Sequence, residues 1–325
     1  MGKLHRPRHG SLQYWPRKRA AKDLPSVNWE GLAERNIQGK NKLLGFIGYK
    51  AGMVSLLAKD LGVNSMTKGK NIVIPGTVIE CPPIKIMAVR FYKGSVVAFD
   101  VLAPSLDKEL KRKIKMPKKA TDMASAEKRM NEFTDLKLVV YSTVHKTGIQ
   151  KTPDIIEMGL SGNLKDKLEF AKNSLGKEIN VDDIFNNGQL LDVHAVTKGK
   201  GTVGPVKRFG LGLKGHKSEK GVRRPGSLGP WHPARVTFKA PQMGQMGMFT
   251  RVQYNNRIMG LGKEWAKMKG AKDKITFPHF GEIKNPFCII KGSAAGPQKR
   301  AIMLTYAMRP TTYAAKENFE VLEVI

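Results

Sequence analysis

Cysteine is nearly absent: Cys81 and Cys288 are the only two in 325 residues, far apart and without CxxC spacing. That excludes a disulfide scaffold and a cysteine zinc site, and fits a reducing cytoplasm better than secretion. Long apolar runs are missing too. No stretch of about 18 apolar residues is present to span a bilayer. The first 22 residues are polar and basic, without the apolar core of a signal peptide. Acid is the third shortage: 27 Asp and Glu stand against 57 Lys and Arg, a formal charge of +30. An isolated soluble protein gains nothing from such self-repulsion. A polyanion would neutralise it, and nucleic acid is the commonest one. An anionic membrane surface is the competing reading.

Catalytic signatures are also lacking. The seven histidines are His5, His9, His145, His194, His216, His232 and His279, and none stands at a metal-ligand spacing. No HExxH, GxSxG or Walker loop occurs. No catalytic residue, metal or cofactor is therefore expected. "GKGTVG" (Gly199–Gly204) matches GxGxxG and follows a predicted strand. A dinucleotide site needs a helix starting there, with its amides on the pyrophosphate. Pro205 and then Gly210, Gly212 and Gly215 forbid a helix of useful length, so the motif is set aside.

What is present divides along the chain, whose length suggests two or three units. Residues 1–42 begin with Lys3, Arg6, Arg8, Arg17, Lys18, Arg19 and Lys22 and no acid in the first 22. Pro7, Pro16 and Gly10 interrupt them, and an extended basic arm is expected. Residues 43–103 change texture. "LLGFIG", "NIVIPGTVIE", "IKIMAVRFY" and "SVVAFDVLA" are short β-branched runs punctuated by Gly and Pro, as in a β-barrel or sandwich. Residues 104–185 read as an inserted α/β unit. Ser105 caps a predicted helix with Leu106, Leu110 and Ile114 on one face, stopped by Pro117. Further helices are predicted at Ala124–Phe133 and, from Asn163, through Leu164, Leu168, Ala171 and Leu175 to Gly176. "LKLVVYSTVH" (Leu136–His145) is a predicted strand. Residues 186–197 hold another, "QLLDVHAVT". His194 there alternates with apolar residues and reads as a core or edge histidine. Residues 245–325 return to β texture with "MFTRVQYN", "FCIIK", "AIMLTY" and "FEVLEV".

Between these lies a Gly-rich extension, residues 198–244. From Lys198 to Lys263 the only acid is Glu219. Solvated faces normally mix both signs, and a segment unable to bury a core gains order from a partner. Lys198, Lys200, Lys207, Arg208, Lys214, Lys217, Lys220, Arg223, Arg224 and Arg235 are suited to phosphates, and His216 and His232 to the same surface. Glycine permits close approach to a sugar-phosphate chain. "RRPGSLGPWHPARV" (Arg223–Val236) carries Trp231 with no local core to receive it. A core position elsewhere is one reading; stacking on an unpaired base is the favoured one. "GSAAGPQKR" (Gly292–Arg300) is either a plain hairpin loop or an anion-binding nest, with Lys299 and Arg300 at its end.

"PRHGSLQYWPRKRA", "GFIGYKAGM", "AVTKGKG", "GPWHPARV" and "HFGEIKNPFCIIKGSAAGPQKR", in that order, resemble the universal family of large ribosomal subunit protein three. The α/β insertion and the absence of a long basic C-terminal extension point to its archaeal type. The resemblance implies a Greek-key β-barrel of the translation-protein type with long basic extensions. It implies a structural rather than enzymatic role in the cytoplasmic large subunit, beside neighbouring ribosomal proteins, without a membrane or small-molecule substrate. It also implies binding to large-subunit rRNA near its 3′ region, early in assembly, with the barrel near the sarcin–ricin loop. The extension would approach the peptidyl transferase centre with Trp231 at its tip. His9, in the basic Gly/Pro-rich arm, is read with His216 and His232 as a contact, and Lys50 and Arg251 complete the expected set. Another RNA-binding or RNA-modifying protein is the alternative. Two departures stand out. Glu219 replaces a basic or histidine residue, which suggests a Lys or Arg partner. Met248 and Phe249 replace a Tyr-His pair, so any contact made by that pair is not carried over.

Overall fold

A computed structural model describes residues 10–34, 43–117, 123–265 and 276–325. Two compact units emerge: residues 1–22 with 196–251, and residues 23–195 with 252–325. The larger unit is mainly β.

Its first sheet begins with β1 (Gly45–Asp60) and β2 (Asn71–Glu80), paired antiparallel from Tyr49↔Glu80 to Lys59↔Asn71. It continues through β8 (Leu190–Val196), β11 (Thr250–Gly262), β14 (Phe287–Lys291), β15 (Ala301–Tyr306) and β16 (Phe319–Val324). The hydrogen-bonded order is β15-β8-β11-β14-β2-β1-β16, and β1 also pairs with β15. The order therefore returns on itself as a closed, barrel-like sheet, which leaves few unpaired edges. β1 manages this by serving two partners. Gly45–Tyr49 pairs with β15, and Leu56–Asp60 with β16. Register shifts at Lys50/Gly52 and Leu57/Ala58 bend the strand between them. All six residues of β15 are buried, which explains the unbroken run "AIMLTY" where a half-exposed strand would alternate.

The second sheet contains β3 (Ile84–Lys93), β4 (Val96–Leu102), β5 (Asp135–Ser142) and β6 (Ile155–Gly159), in the order β4-β3-β5-β6. A two-residue strand, β7 (Glu178–Ile179), adds onto β3. So β3 and β4, grouped by texture with the barrel segments, hydrogen-bond with the strands of the insertion instead. Composition cannot make that distinction, because both sheets draw on the same Val/Ile/Phe vocabulary. One apolar cluster joins the sheets, including Phe46, Ile79, Ile84, Phe91, Leu138, Phe185 and Leu304. A second gathers Leu56, Val78, Trp265, Phe277 and Phe287.

Helices are short: α1 (Trp29–Ala33), α2 (Met123–Glu127), α3 (Leu164–Ser174), α4 (Pro205–Phe209) and α5 (Thr312–Lys316). α3 lies where the sequence suggests, between Asn163 and Gly176, which takes φ +77°, but the Asn163 side chain makes no cap hydrogen bond. The helix expected from Ser105 does not form. A 3-10 turn at Lys108–Arg112 replaces it. Asp107 is held by Lys85 at 3.0 Å and by the Tyr141 hydroxyl at 2.9 Å, which pins the chain to β3 and β5. The expected Ala124–Phe133 helix splits into α2 and a 3-10 turn at Met130–Glu132. Strand β5 stops at Ser142, three residues before the expected end at His145.

His194 sits on β8 with its Nε2 at 3.1 Å from the Thr305 hydroxyl. Burial holds its imidazole below the usual histidine range, only partly opposed by Asp192. A depressed histidine means the unfolded chain binds the proton more readily, so stability falls as pH drops through about 6.5. The thermal midpoint is expected to decline between about pH 7 and 5.5, and His194→Gln to flatten that decline. An unchanged slope in the variant would assign the titration elsewhere.

Candidate nucleic-acid interface

The smaller unit is built from the end of β8, the extension, the start of β11 and residues 10–22 of the arm. A short ladder closes the extension at its base. β9 (Thr202–Val203) pairs antiparallel with β10 (Gly244–Gln245). Lys200 N donates to Met246 O at 2.9 Å, and Thr197 N to Phe249 O at 2.9 Å. Gly247 makes the ladder possible. It takes φ +78°, and a Cβ there would lie 1.9 Å from the Lys198 carbonyl oxygen. Directly after "GKGTVG", α4 runs for five residues and stops at Gly210, φ +67°. β9 pairs with β10 alone, so the βαβ frame of a dinucleotide site is not formed.

The arm is fastened to this base. Arg17 lies over the Trp15 ring at 5.3 Å and over the buried Phe209 ring at 4.5 Å. Trp15 meets Phe238 edge-on at 5.4 Å. Arg251 covers Tyr14 at 4.3 Å and Phe249 at 5.1 Å. Cation–π contacts of this kind contribute about 0.5–2 kcal/mol each. Ala20 N donates to Met248 O at 2.7 Å, and Arg19 Nε to Gln245 Oε1 at 3.2 Å. Arg208 donates to the Gln245 and Gln242 carbonyls, both at 3.0 Å, and burial lowers its guanidinium below the usual range. These aromatics carry the local structure, and the census of charges did not select them. The signal was present in "QYWPRKR" and "MFTR", where rings alternate with guanidinium groups.

Beyond the base, Lys198, Lys200, Lys207, Lys214, His216, Lys217, Lys220, Arg223, Arg224, His232 and Arg235 are exposed, as is Lys18 in the arm. Trp231 is 86% exposed. A tryptophan buries 150–250 Å² when it packs, so this one is left without its usual reward. Among the described residues, no carboxylate pairs with the Lys and Arg side chains of that group. Glu219 is exposed, and the Lys or Arg partner anticipated for it does not occur among the described residues. Arg6, Arg8 and His9 lie outside the described residues.

The larger unit treats its cations differently. Lys85 pairs with Asp107 and Glu178, Arg90 with Asp100 and Glu157, Lys167 with Asp135, and Lys172 with Glu127. Lys50 and Arg300 also have internal partners. Lys50 Nζ donates to the Ala294 and Gly296 carbonyls at 2.5 and 3.2 Å. Arg300 reaches Asp23 at 3.3 Å. Of the two readings of Gly292–Arg300, the structure favours the hairpin loop, because amides an anion nest would use are bonded within the fold: Gly292 N to Pro75 O, Ala294 N to Thr77 Oγ1 and Ala295 N to Gln253 Oε1. That segment is a braced hairpin loop with exposed Lys299 at φ +67°.

Fold and charge together define a mainly β protein that carries an acid-poor basic appendage on a well-packed, ion-paired body. Comparison with known proteins gives the class a name. The model of the ribosomal protein L3 family matches residues 1–324, and the chain belongs to that family. Similar proteins include large ribosomal subunit protein uL3 of Archaeoglobus fulgidus, 39% identical over 99% of this chain and 97% of that one. The uL3 proteins of Methanothrix thermoacetophila and Methanococcoides burtonii are 37% and 39% identical, covering 100% and 94% of this chain and 98% and 92% of theirs. The archaeal type suggested by the sequence motifs agrees with these relatives. Membership makes the chain a ribosomal protein of the large subunit.

Proposed function

We propose that this protein binds large-subunit rRNA through its smaller unit, nucleates early assembly near the 3′ region of that RNA, and carries Trp231 toward the peptidyl transferase centre. The reading holds that it contributes no catalytic group; the RNA performs peptide transfer. The barrel side faces the sarcin–ricin region. The observation that carries the proposal is a contrast in charge pairing: the body holds cations such as Lys85, Arg90, Lys167 and Lys172 on carboxylates, whereas the exposed lysines and arginines named above between Lys198 and Arg235 have no carboxylate partner among the described residues. Unpaired, exposed cations on a Gly-rich scaffold are what a phosphate backbone requires. Arg17, Arg19, Arg208 and Arg251 shape the appendage, while the exposed side chains from Lys198 to Arg235 meet phosphates. Lys50 and Arg300 position the Gly292–Arg300 loop instead, leaving Lys299 outward.

The test is sedimentation of the tagged protein from a lysate. It is expected to travel with the large subunit and to leave that fraction after ribonuclease treatment. Co-sedimentation with chromosomal DNA, insensitive to ribonuclease, would overturn the reading.

A further inference from the structure

Within the smaller unit, a cleft of about 490 Å³ opens between the arm and the start of β11. Its walls include Tyr14, Trp15, Arg17, Phe249, Thr250 and Arg251. The volume lies within the roughly 300–1,000 Å³ range of small-ligand sites. Two features give it chemistry. Tyr14 is 55% exposed and the Arg251 guanidinium lies 4.3 Å over its ring, so ring and cation stack as one unit. Arg17 adds positive charge to the same walls.

From this geometry we infer that the cleft receives one unstacked nucleotide of the RNA. The base stacks with the Tyr14–Arg251 pair, and the phosphate lies beside Arg17. A paired base in a duplex cannot enter, because its faces are covered by stacking neighbours. The inference rests on the RNA-binding reading and adds a site specific for an extruded base.

The experiment uses the full chain and two RNA hairpins, identical except that one carries a single-nucleotide bulge. Dissociation constants are measured by fluorescence anisotropy at one fixed salt concentration. The bulged hairpin is expected to bind at least about five-fold tighter, the lower end of what one stacked base contributes. In Tyr14→Ala the ratio falls toward one, and Arg251→Lys, which keeps the charge but loses the plane, lowers it as well. In Trp231→Ala the preference persists. Equal binding of both hairpins by the unaltered protein would overturn the site, and so would a preference lost in Trp231→Ala but kept in Tyr14→Ala. Failure of both hairpins to bind would instead count against RNA binding itself, a separable outcome.

Discussion

Between about 50 and 200 mM salt, binding of this protein to a large-subunit rRNA fragment is expected to weaken by about 10³–10⁵-fold. The magnitude follows from the appendage. Lys198, Lys200, Lys207, Lys214, Lys217, Lys220, Arg223, Arg224 and Arg235 are exposed and have no carboxylate to leave among the described residues. Each phosphate they neutralise releases condensed counterions, and the logarithm of the affinity falls by roughly 0.7–0.9 per contact against the logarithm of salt. Six or more contacts produce the stated loss. Lys207→Gln is expected to reduce the slope by about one without changing sequence preference. Lys85→Gln, in a cation already paired with Asp107 and Glu178, is expected to leave the slope alone. A salt-insensitive affinity, or equal slope changes from the two substitutions, would refute the phosphate mechanism.

That contrast marks the boundary of what the sequence could tell. Strands β1, β2, β14 and β15 were legible because β-branched runs between Gly and Pro leave few alternatives. The basic extension was legible because charge imbalance needs no geometry. The pairing of β3 and β4 with β5 was not, since strand partners depend on contacts distant in sequence. The failed helix at Ser105 has the same origin: Lys85 and Tyr141 claim Asp107 from other strands. Tertiary contacts override local propensity in such places.

The same limit governs the cations. Lys50 and Lys207 look alike in the sequence, yet Lys50 braces two carbonyls and Lys207 is exposed. Arg208 stands next to Lys207 and ties Gln242 and Gln245. A charge census counts donors and cannot see which already have acceptors. The aromatic residues pose the converse problem. Tyr14, Trp15 and Phe249 sit among basic residues as Trp231 does, but they pack with guanidinium groups while Trp231 stands clear. Arg17 and Arg251 stand two residues from Trp15 and Phe249, but the pairings of Tyr14 with Arg251 and of Trp15 with Phe238 span more than 200 residues, which no local pattern announces.

Truncating two tryptophans separates packing from recognition. Trp265 is 6% exposed and meets Phe277 at 5.9 Å and Phe287 at 5.0 Å. Trp265→Ala leaves a hole where rings interdigitated, and is expected to cost about 3–5 kcal/mol. For a unit of this size that corresponds to a fall of roughly 6–20 °C in its thermal midpoint. Trp231→Ala removes a ring that is 86% exposed, so the free protein has no packing to lose. Its midpoint is expected to stay within about 2 °C of the unaltered protein, as for substitutions that touch no packed feature. The effect of Trp231→Ala is expected to appear only in the assembled subunit, as altered chemical protection of bases around the peptidyl transferase centre. Calorimetry of the free proteins and probing of reconstituted subunits read the two effects independently. A midpoint loss for Trp231→Ala approaching that of Trp265→Ala would mean the ring packs against protein. Unchanged protection would mean it contacts no RNA there. Stable free protein with altered protection is the combination that a side chain awaiting its packing partner in RNA produces.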